Sequence, residues 1–459
     1  MWRCGKHLPQ NVVLRAPPDG GGGGFSVPNR ISSRIPESGY QVGPKAGGAA
    51  ALETTAKSVG QNRGRSDRFR WQRHAAGLLG GRHRVGLCRW SVVSKEAGVD
   101  MVSSSYGDAP DRVHFEGLQT CGSVWACPCC SARISETRRE EMGRLLSWAR
   151  ANGYHVRMVT LTCRHGQDDD LADLMVRMKG KTGNKAKGIK TFRGAKQRMA
   201  DDRRYKERVK PHVIGSVTAT EVTGGGAHGW HPHMHMILIL DDDIDLTPMR
   251  DAWLGSLRGA GLEGSGRGWD VRPADETGRY IAKWGAAEEL ALSGQKKGRG
   301  TGRTPMQLLA ASSDNGDRAA GELWAEYAAV FHGLRQLVWS KGLKALAGID
   351  EIEDEEAARD QQQDGQQETA RANIPHHVWR SGVASPRSDN RADVIERAEV
   401  VGVDVAATEL AEGRATFDEL LDDLEAIPPP PVVPGGLRDL VMRSLQGGFE
   451  RGEETRHGP

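Results

Sequence analysis

The chain has 459 residues, of which 37% are hydrophobic, with 59 Gly and 21 Pro. That length suits two or three domains, but the apolar content is low for a chain packed throughout, so an ordered core with disordered ends is expected. No apolar run approaches the roughly 18 residues that a membrane span needs. The opening MWRCGKHLPQNVVLRAPPDGGGGG has no apolar signal core, which argues for the cytoplasm. The net charge of +3 conceals an asymmetry: residues 1–80 carry 12 Lys and Arg against 4 Asp and Glu, and residues 350–459 carry 11 against 25. A basic body with an acidic tail fits a polyanionic partner such as nucleic acid.

Residues 1–65, rich in Gly, Pro, Ser and Arg, read as a disordered basic extension. Residues 66–147 hold clustered cysteines and then a charged helix, SETRREEMGRLLSWARANG, with Ser135 as N-cap and Gly153 as stop. From 148 to 347 an α/β pattern follows. HVRMVTLTC (155–163) alternates as a strand. Residues 168–210 are helical, and 181–210 carry 12 Lys and Arg against 3 acids. HVIGSVTATEVT (212–223) and WHPHMHMILIL (230–240) flank GGGAHG as a hairpin. A helix over 245–261 has Thr247 as its cap and Pro248 in its first turn. GWDVRPA is a short strand and ETGRYIAKWGAAEELAL (276–292) a helix. Residues 318–347 give one or two more helices, with the stripe Leu323, Tyr327, Phe331, Leu334 turned inward. From 348 to 459 an acidic, Gln-rich, mostly disordered tail is expected, with one short helix in TFDELLDDLEAIPPPP.

Three constellations carry chemistry. His231, His233 and His235 alternate on a strand and therefore share a face, a row suited to one divalent ion. Glu221 lies across the hairpin; a turn centred between Gly226 and Ala227 sets it opposite position 232, give or take one, where it can add a carboxylate oxygen. Such a mixed site suits Mg²⁺ or Mn²⁺ acting on phosphates. On the 276–292 helix, Glu276, Tyr280 and Lys283 fall on one face. A tyrosine there can attack a phosphodiester, Lys283 can lower its pKa or neutralise phosphate charge, and Glu276 can activate water. Cys127 and Cys130 form a C-x-x-C pair, Cys121 adds a third thiol, and Cys88 is the best fourth, with Cys129 or His114 as rivals; the set points to structural Zn²⁺.

The blocks TCGSVWACPCCSARISETRRE, VTLTCRH, EVTGGGAHGWHPHMH, ETGRYIAKW and ELWAEYAAVFHGLRQLVWSKGL occur in that order. Together they resemble the rolling-circle plasmid replication initiators of the HUH endonuclease superfamily, over roughly residues 80–345. The resemblance implies an α+β class with a ferredoxin-like domain over 148–347, an antiparallel sheet backed by helices, preceded by the small zinc segment. It further implies metal-dependent nicking and rejoining of origin DNA through a 5′-phosphotyrosine. His233 and His235 match the His–hydrophobe–His pair, Tyr280 the single nucleophile, Lys283 the following lysine, Glu276 the residue that lets water end the round, and Glu221 the preceding acid. His165 matches a block with no assignable role.

Expected partners are single-stranded or hairpin origin DNA and, from the resemblance, host helicase and polymerase, with no membrane. Lys185, Lys187, Lys190, Arg193, Lys296, Lys297, Arg299 and Arg303 are candidates for DNA backbone contacts. A relaxase or single-Tyr transposase would share the chemistry. A non-catalytic zinc-containing DNA-binding protein and a metal-dependent hydrolase of small molecules are the rivals from other classes.

Overall fold

The computed structural model describes residues 64–80, 83–106, 111–183, 190–273, 302–359, 366–385 and 388–420, with side chains to 413. The expected disorder of the N-terminal extension, the 276–292 helix and most of the expected tail helix lie outside them. The class is α+β, with antiparallel sheets and helices.

The larger sheet has five strands: β3 (His155–Thr162), β4 (Val213–Gly226), β5 (Gly229–Leu240), β6 (Trp269–Pro273) and β7 (Leu337–Trp339), ordered β6-β3-β5-β4-β7 with every pair antiparallel. β5 is thus central. Period-two alternation gives its faces different neighbours. Met234, Met236, Leu238 and Leu240 join a core cluster with α3 (Leu171–Lys179), α4 (Ala195–Asp201) and α6 (Thr247–Gly259). Ile237 and Ile239 join a second cluster with Met142, Leu145 and Ala149 of α2 (Pro128–Ala151). α2 covers the far half of that face and leaves the histidine end beside it.

α2 begins about two turns before the expected Ser135. Cys127 is its N-cap and Pro128 occupies the first turn, so Ser135 is an interior, buried residue. The expected stop at Gly153 holds: Asn152 is the C-cap and Gly153 has φ +71°. At α6 the N-cap is Leu246 and the expected cap, Thr247, is the first helical residue, its N–H donating to the Asp245 carboxylate at 2.9 Å. α8 (Arg318–Phe331) follows α7 (Pro305–Asn315) and its stripe packs as expected: Tyr327 and Phe331 are buried and Leu323 lies against the core, as does Leu334 just beyond the helix end.

The second sheet corrects the expected mostly disordered tail. β1 (Val99–Tyr106) is its middle strand, between β2 (Arg112–Glu116) and β8 (Gln366–Ile374). Composition marked 351–368 as linker because it is acidic and Gln-rich, and β8 begins within its last residues. Arg371 settles those charges, pairing Asp100 at 2.8 Å, Glu116 at 2.9 Å and Glu368 at 2.8 Å. Beyond it, Trp379 is fully buried, donates to the Trp90 carbonyl at 2.9 Å and meets Phe115 edge-on. α9 (Arg391–Val401) and α10 (Val403–Leu420) follow. Arg391 is equally buried: it donates to the Arg89 carbonyl at 2.8 Å and lies over the Phe69 ring. Chain distant from the cysteines therefore completes their core. Among the described residues no helix is long and apolar enough to cross a membrane.

Candidate functional site

Glu221 and His233 are direct cross-strand partners, and Ala219 faces His235. The register differs by one from the position-232 estimate because a bulge between Thr223 and Gly226 shifts the ladder near the turn. Pro232 is tolerated in a central strand because position 232 opposite Val222 is a non-hydrogen-bonded pair and β3 ends opposite His233. Two glycines shape the hairpin. A Cβ on Gly224 would come within 2.3 Å of the Trp230 ring, and Gly229, at φ +69°, lies against the Gly166 carbonyl. The second contact brings the His165 loop to the histidine row.

His233 Nε2 is 3.3 Å from Glu221 Oε2, and His235 Nε2 is 3.7 Å from the same oxygen. One ligand atom from each of the three lies within 4.8 Å of the others. The hydrogen bonds fix how these groups are presented. His233 Nδ1 is 3.3 Å from the His231 carbonyl and its Nε2 is 3.3 Å from Glu221 Oε2; both partners accept, and with the proton on Nδ1 the Nε2 lone pair is free for a cation beside the carboxylate. Thr160 Oγ1, 3.1 Å from His235 Nδ1, can likewise accept and free that ring's Nε2. Burial holds the His235 pKa down near about 4, so the ring is neutral at physiological pH. With a cation bound, both Nε2 atoms and the carboxylate oxygen are close enough to ligate it together. The donor set therefore fits a divalent ion, with hard oxygen and borderline nitrogen as Mg²⁺ or Mn²⁺ and their neighbours accept.

His231 does not join this trio. Its Nδ1 is 2.6 Å from His165 Nε2, and His165 Nδ1 is 2.9 Å from the His228 carbonyl. By the same rule His165 carries its proton on Nδ1 and accepts from His231 at Nε2. Burial lowers the His231 pKa to about 4, helped by His233 and His165. Asp270 of β6 is a neighbour that sequence reasoning missed: it pairs opposite Thr160 and so shares the face of His235, though Arg272 binds it at 2.7 Å.

The cysteines form a second cluster. Sγ of Cys88 is 3.4 Å from Cys130 and 3.6 Å from Cys127, and Cys121 is 3.6 Å from Cys130. All four are buried, with their sulfurs within 4.8 Å of one another. A tetrahedron with metal–sulfur bonds of about 2.3 Å has edges of about 3.8 Å, so the spacing and the thiolate set fit a structural metal such as zinc. Cys88 is thus the fourth member. Its rivals are elsewhere: Cys129 points to the Arg68 carbonyl at 3.8 Å, and His114 pairs with Glu116 at 3.5 Å. Burial pushes the Cys127 thiol well up, while bonds from Cys121, Cys127 and Cys88 pull Cys130 well down. Arg68, Arg89 and Arg133 surround the group, and burial with Arg89 nearby brings Arg133 down to about 9. Three guanidiniums compensate the net negative charge that four thiolates around one divalent ion would carry.

Of the remaining expected residues, Glu276, Tyr280, Lys283, Lys185, Lys187, Lys296, Lys297 and Arg299 lie outside the described residues. Lys190 is exposed. Arg193 is exposed and paired with Asp201. Arg303 exchanges two backbone hydrogen bonds with Gly224 and pairs with Asp317 at 2.9 Å, so its charge is already met within the fold. Within the basic stretch, Lys196 turns inward to Thr218 at 2.9 Å, and burial lowers its pKa to about 8.

The chain is similar to a Streptomyces Rep protein. It is 29% identical over 362 residues to "Protein rep" of Streptomyces lividans, covering 65% of this chain and 76% of that protein. It is also 38% identical over 136 residues to a "Neomycin resistance protein" of Streptomyces cyanogenus, covering 27% of this chain and 31% of the relative. No protein-family model and no solved structure matches.

Proposed function

We propose that this protein is a rolling-circle replication initiator of the HUH type, which nicks and rejoins one strand of plasmid origin DNA. The carrying observation is the convergence of His233, His235 and Glu221 from two paired strands, with one ligand atom of each within 4.8 Å of the others. The similarity to "Protein rep" over most of that relative supports the replication role. The central position of the histidine strand in a five-stranded antiparallel sheet agrees with a ferredoxin-like HUH domain.

In this reading His233, His235 and Glu221 hold the divalent ion, with His231 beside them. The ion, when bound, polarises the scissile phosphate. The Tyr280 oxygen attacks phosphorus in line and loses its proton; the bond to the 3′ oxygen breaks, that oxygen takes up a proton, and a 5′-phosphotyrosine remains. Lys283 sits three residues on and neutralises charge at the phosphate. Glu276 takes a proton from the water that ends the round. The free 3′-OH primes the host polymerase, the host helicase unwinds the template, and the chemistry takes place in the cytoplasm. Zn²⁺ held by Cys88, Cys121, Cys127 and Cys130 braces the flanking segment. Lys185, Lys187, Lys190, Arg193, Lys296, Lys297, Arg299 and Arg303 follow the DNA backbone. For Arg193 and Arg303 this requires exchange of an internal carboxylate for a phosphate.

The test is direct. The full chain is incubated with Mn²⁺ and labelled single strands tiled across the DNA that encodes and flanks the gene, then run on a denaturing gel. One strand yields a covalent adduct that protease removes. Adduct absent from every strand refutes nicking; binding without an adduct leaves a non-catalytic DNA-binding protein.

A further inference from the structure

Beside the histidine site lies a cavity of about 140 Å³, bounded by Glu221 and His233 on one side and by α2 and α8 on the other. Its wall is aromatic. Trp125 meets Phe331 at 5.0 Å and Tyr327 at 6.4 Å between ring centroids, both edge-on. Its floor is a gap in the sheet. β7 stops opposite Ala219, and the next bridge on that edge of β4 joins Gly224 to Arg303. Backbone groups on this edge alternate. Those of Ser216 and Gly224 point outward to Ser340 and Arg303, so the Thr220 carbonyl and the Val222 N–H point the same way and meet no partner strand among the described residues. A third polar group lies inside: Gln336 donates through Nε2 to Ser135 Oγ at 3.0 Å, and its Oε1 is buried without a partner among the described residues.

Buried polar groups without partners are costly, and a native fold keeps them where a ligand satisfies them. The ligand here is neutral and flat. Arg138, the cation in the lining, is saturated by Glu141 and Asp354, each at 2.7 Å, so a phosphate gains nothing from it. An aromatic wall facing a carbonyl and an N–H suits a heterocycle with adjacent donor and acceptor, which every nucleobase offers. We infer that this cavity takes one unstacked nucleobase of single-stranded DNA, beside Glu221 and His233. The base stacks against the aromatic wall, and its polar edge meets Thr220, Val222 and Gln336. This rests on the nuclease reading and adds to it a base-specific pocket that positions the strand.

Binding tests the pocket separately from nicking. The full chain, without added divalent ion, is titrated with a short poly-dT strand and with an abasic strand of equal length and charge. One stacked base contributes at least about fivefold in affinity, so the base-bearing strand binds tighter by that factor or more. Gln336→Leu removes the orphaned oxygen, and Ser135→Leu fills the cavity. In each, the advantage falls to about one third of its wild-type value or less, while abasic affinity stays constant. Thermal melting identifies any variant that does not fold, and the other then decides. Equal binding of the two strands by the wild type overturns the inference even if the protein nicks DNA. A preference that persists in the folded variants overturns it as well. Base preference in a protein that forms no adduct keeps the pocket and removes the nuclease reading.

Discussion

Replacing Cys127 with Ser tests the cysteine cluster most sharply. Cys127 is fully buried and caps α2, with its sulfur 3.6 Å from Cys88. A structural zinc contributes about 10–16 kcal/mol of folding free energy in small domains. One ligand in four then accounts for on the order of 3 kcal/mol, before the cost of burying an unpaired hydroxyl is added. For a unit of a few hundred residues, 1 kcal/mol moves the melting midpoint by about 2–4 °C, so Cys127→Ser should melt roughly 6–12 °C lower. Zinc is measured by mass spectrometry on protein purified without chelator, and melting by calorimetry. The wild type should carry about one zinc per chain and Cys127→Ser markedly less. Cys129→Ser and Cys163→Ser should keep it, because Cys129 faces the Arg68 carbonyl and Cys163 lies against Met178 at 3.6 Å. Unchanged zinc in Cys127→Ser, or zinc lost from Cys129→Ser, refutes the assignment.

Four further outcomes are expected. Tyr280→Phe should abolish nicking and adduct while leaving affinity for single-stranded DNA within about twofold, as read by gel and fluorescence titration, since only the hydroxyl is removed; an adduct in that variant would move the nucleophile to Tyr205 or to Tyr327, which borders the cavity beside Glu221. His233→Ala and His235→Ala should each lose cleavage, and EDTA should mimic them, whereas His231→Ala, bonded to His165 and outside the trio, should be milder; the opposite order would show that the ligands are misassigned. Because burial sets the His235 pKa near about 4, below the ordinary 6.5, the unfolded chain binds more protons between those values, so metal-free stability should fall as pH drops from about 6.5 toward 4; the slope of melting temperature against pH should be shallower in His235→Gln. Truncation after residue 359 removes β8 and Trp379 and should yield insoluble protein; a soluble, zinc-loaded truncation would mean that the tail is dispensable after all.

Sequence by itself determined what local periodicity and spacing encode. The alternating histidines had to share a strand face, and Gly-rich punctuation between two β-rich runs had to fold them into a hairpin, because side-chain direction repeats every two residues. The C-x-x-C pair with Cys121 marked a metal set for the same local reason. Tertiary structure decided what depends on chain brought from far away. Cys88, already the preferred fourth thiol in the sequence, reaches the other three only because folding closes about 30 residues of intervening chain. The facing of Glu221 with His233 was settled by a bulge that shifts register by one residue. Arg303 looked like a free cation until Asp317 met it, and Lys196 until Thr218 did. The tail read as solvated because its charges have no partners nearby in sequence. In the fold Arg371 finds Asp100 and Glu116, and Trp379 finds Trp90, more than 250 residues away. Charge pairing and strand pairing act across space, so composition along the chain reports the cost of such groups without their compensation.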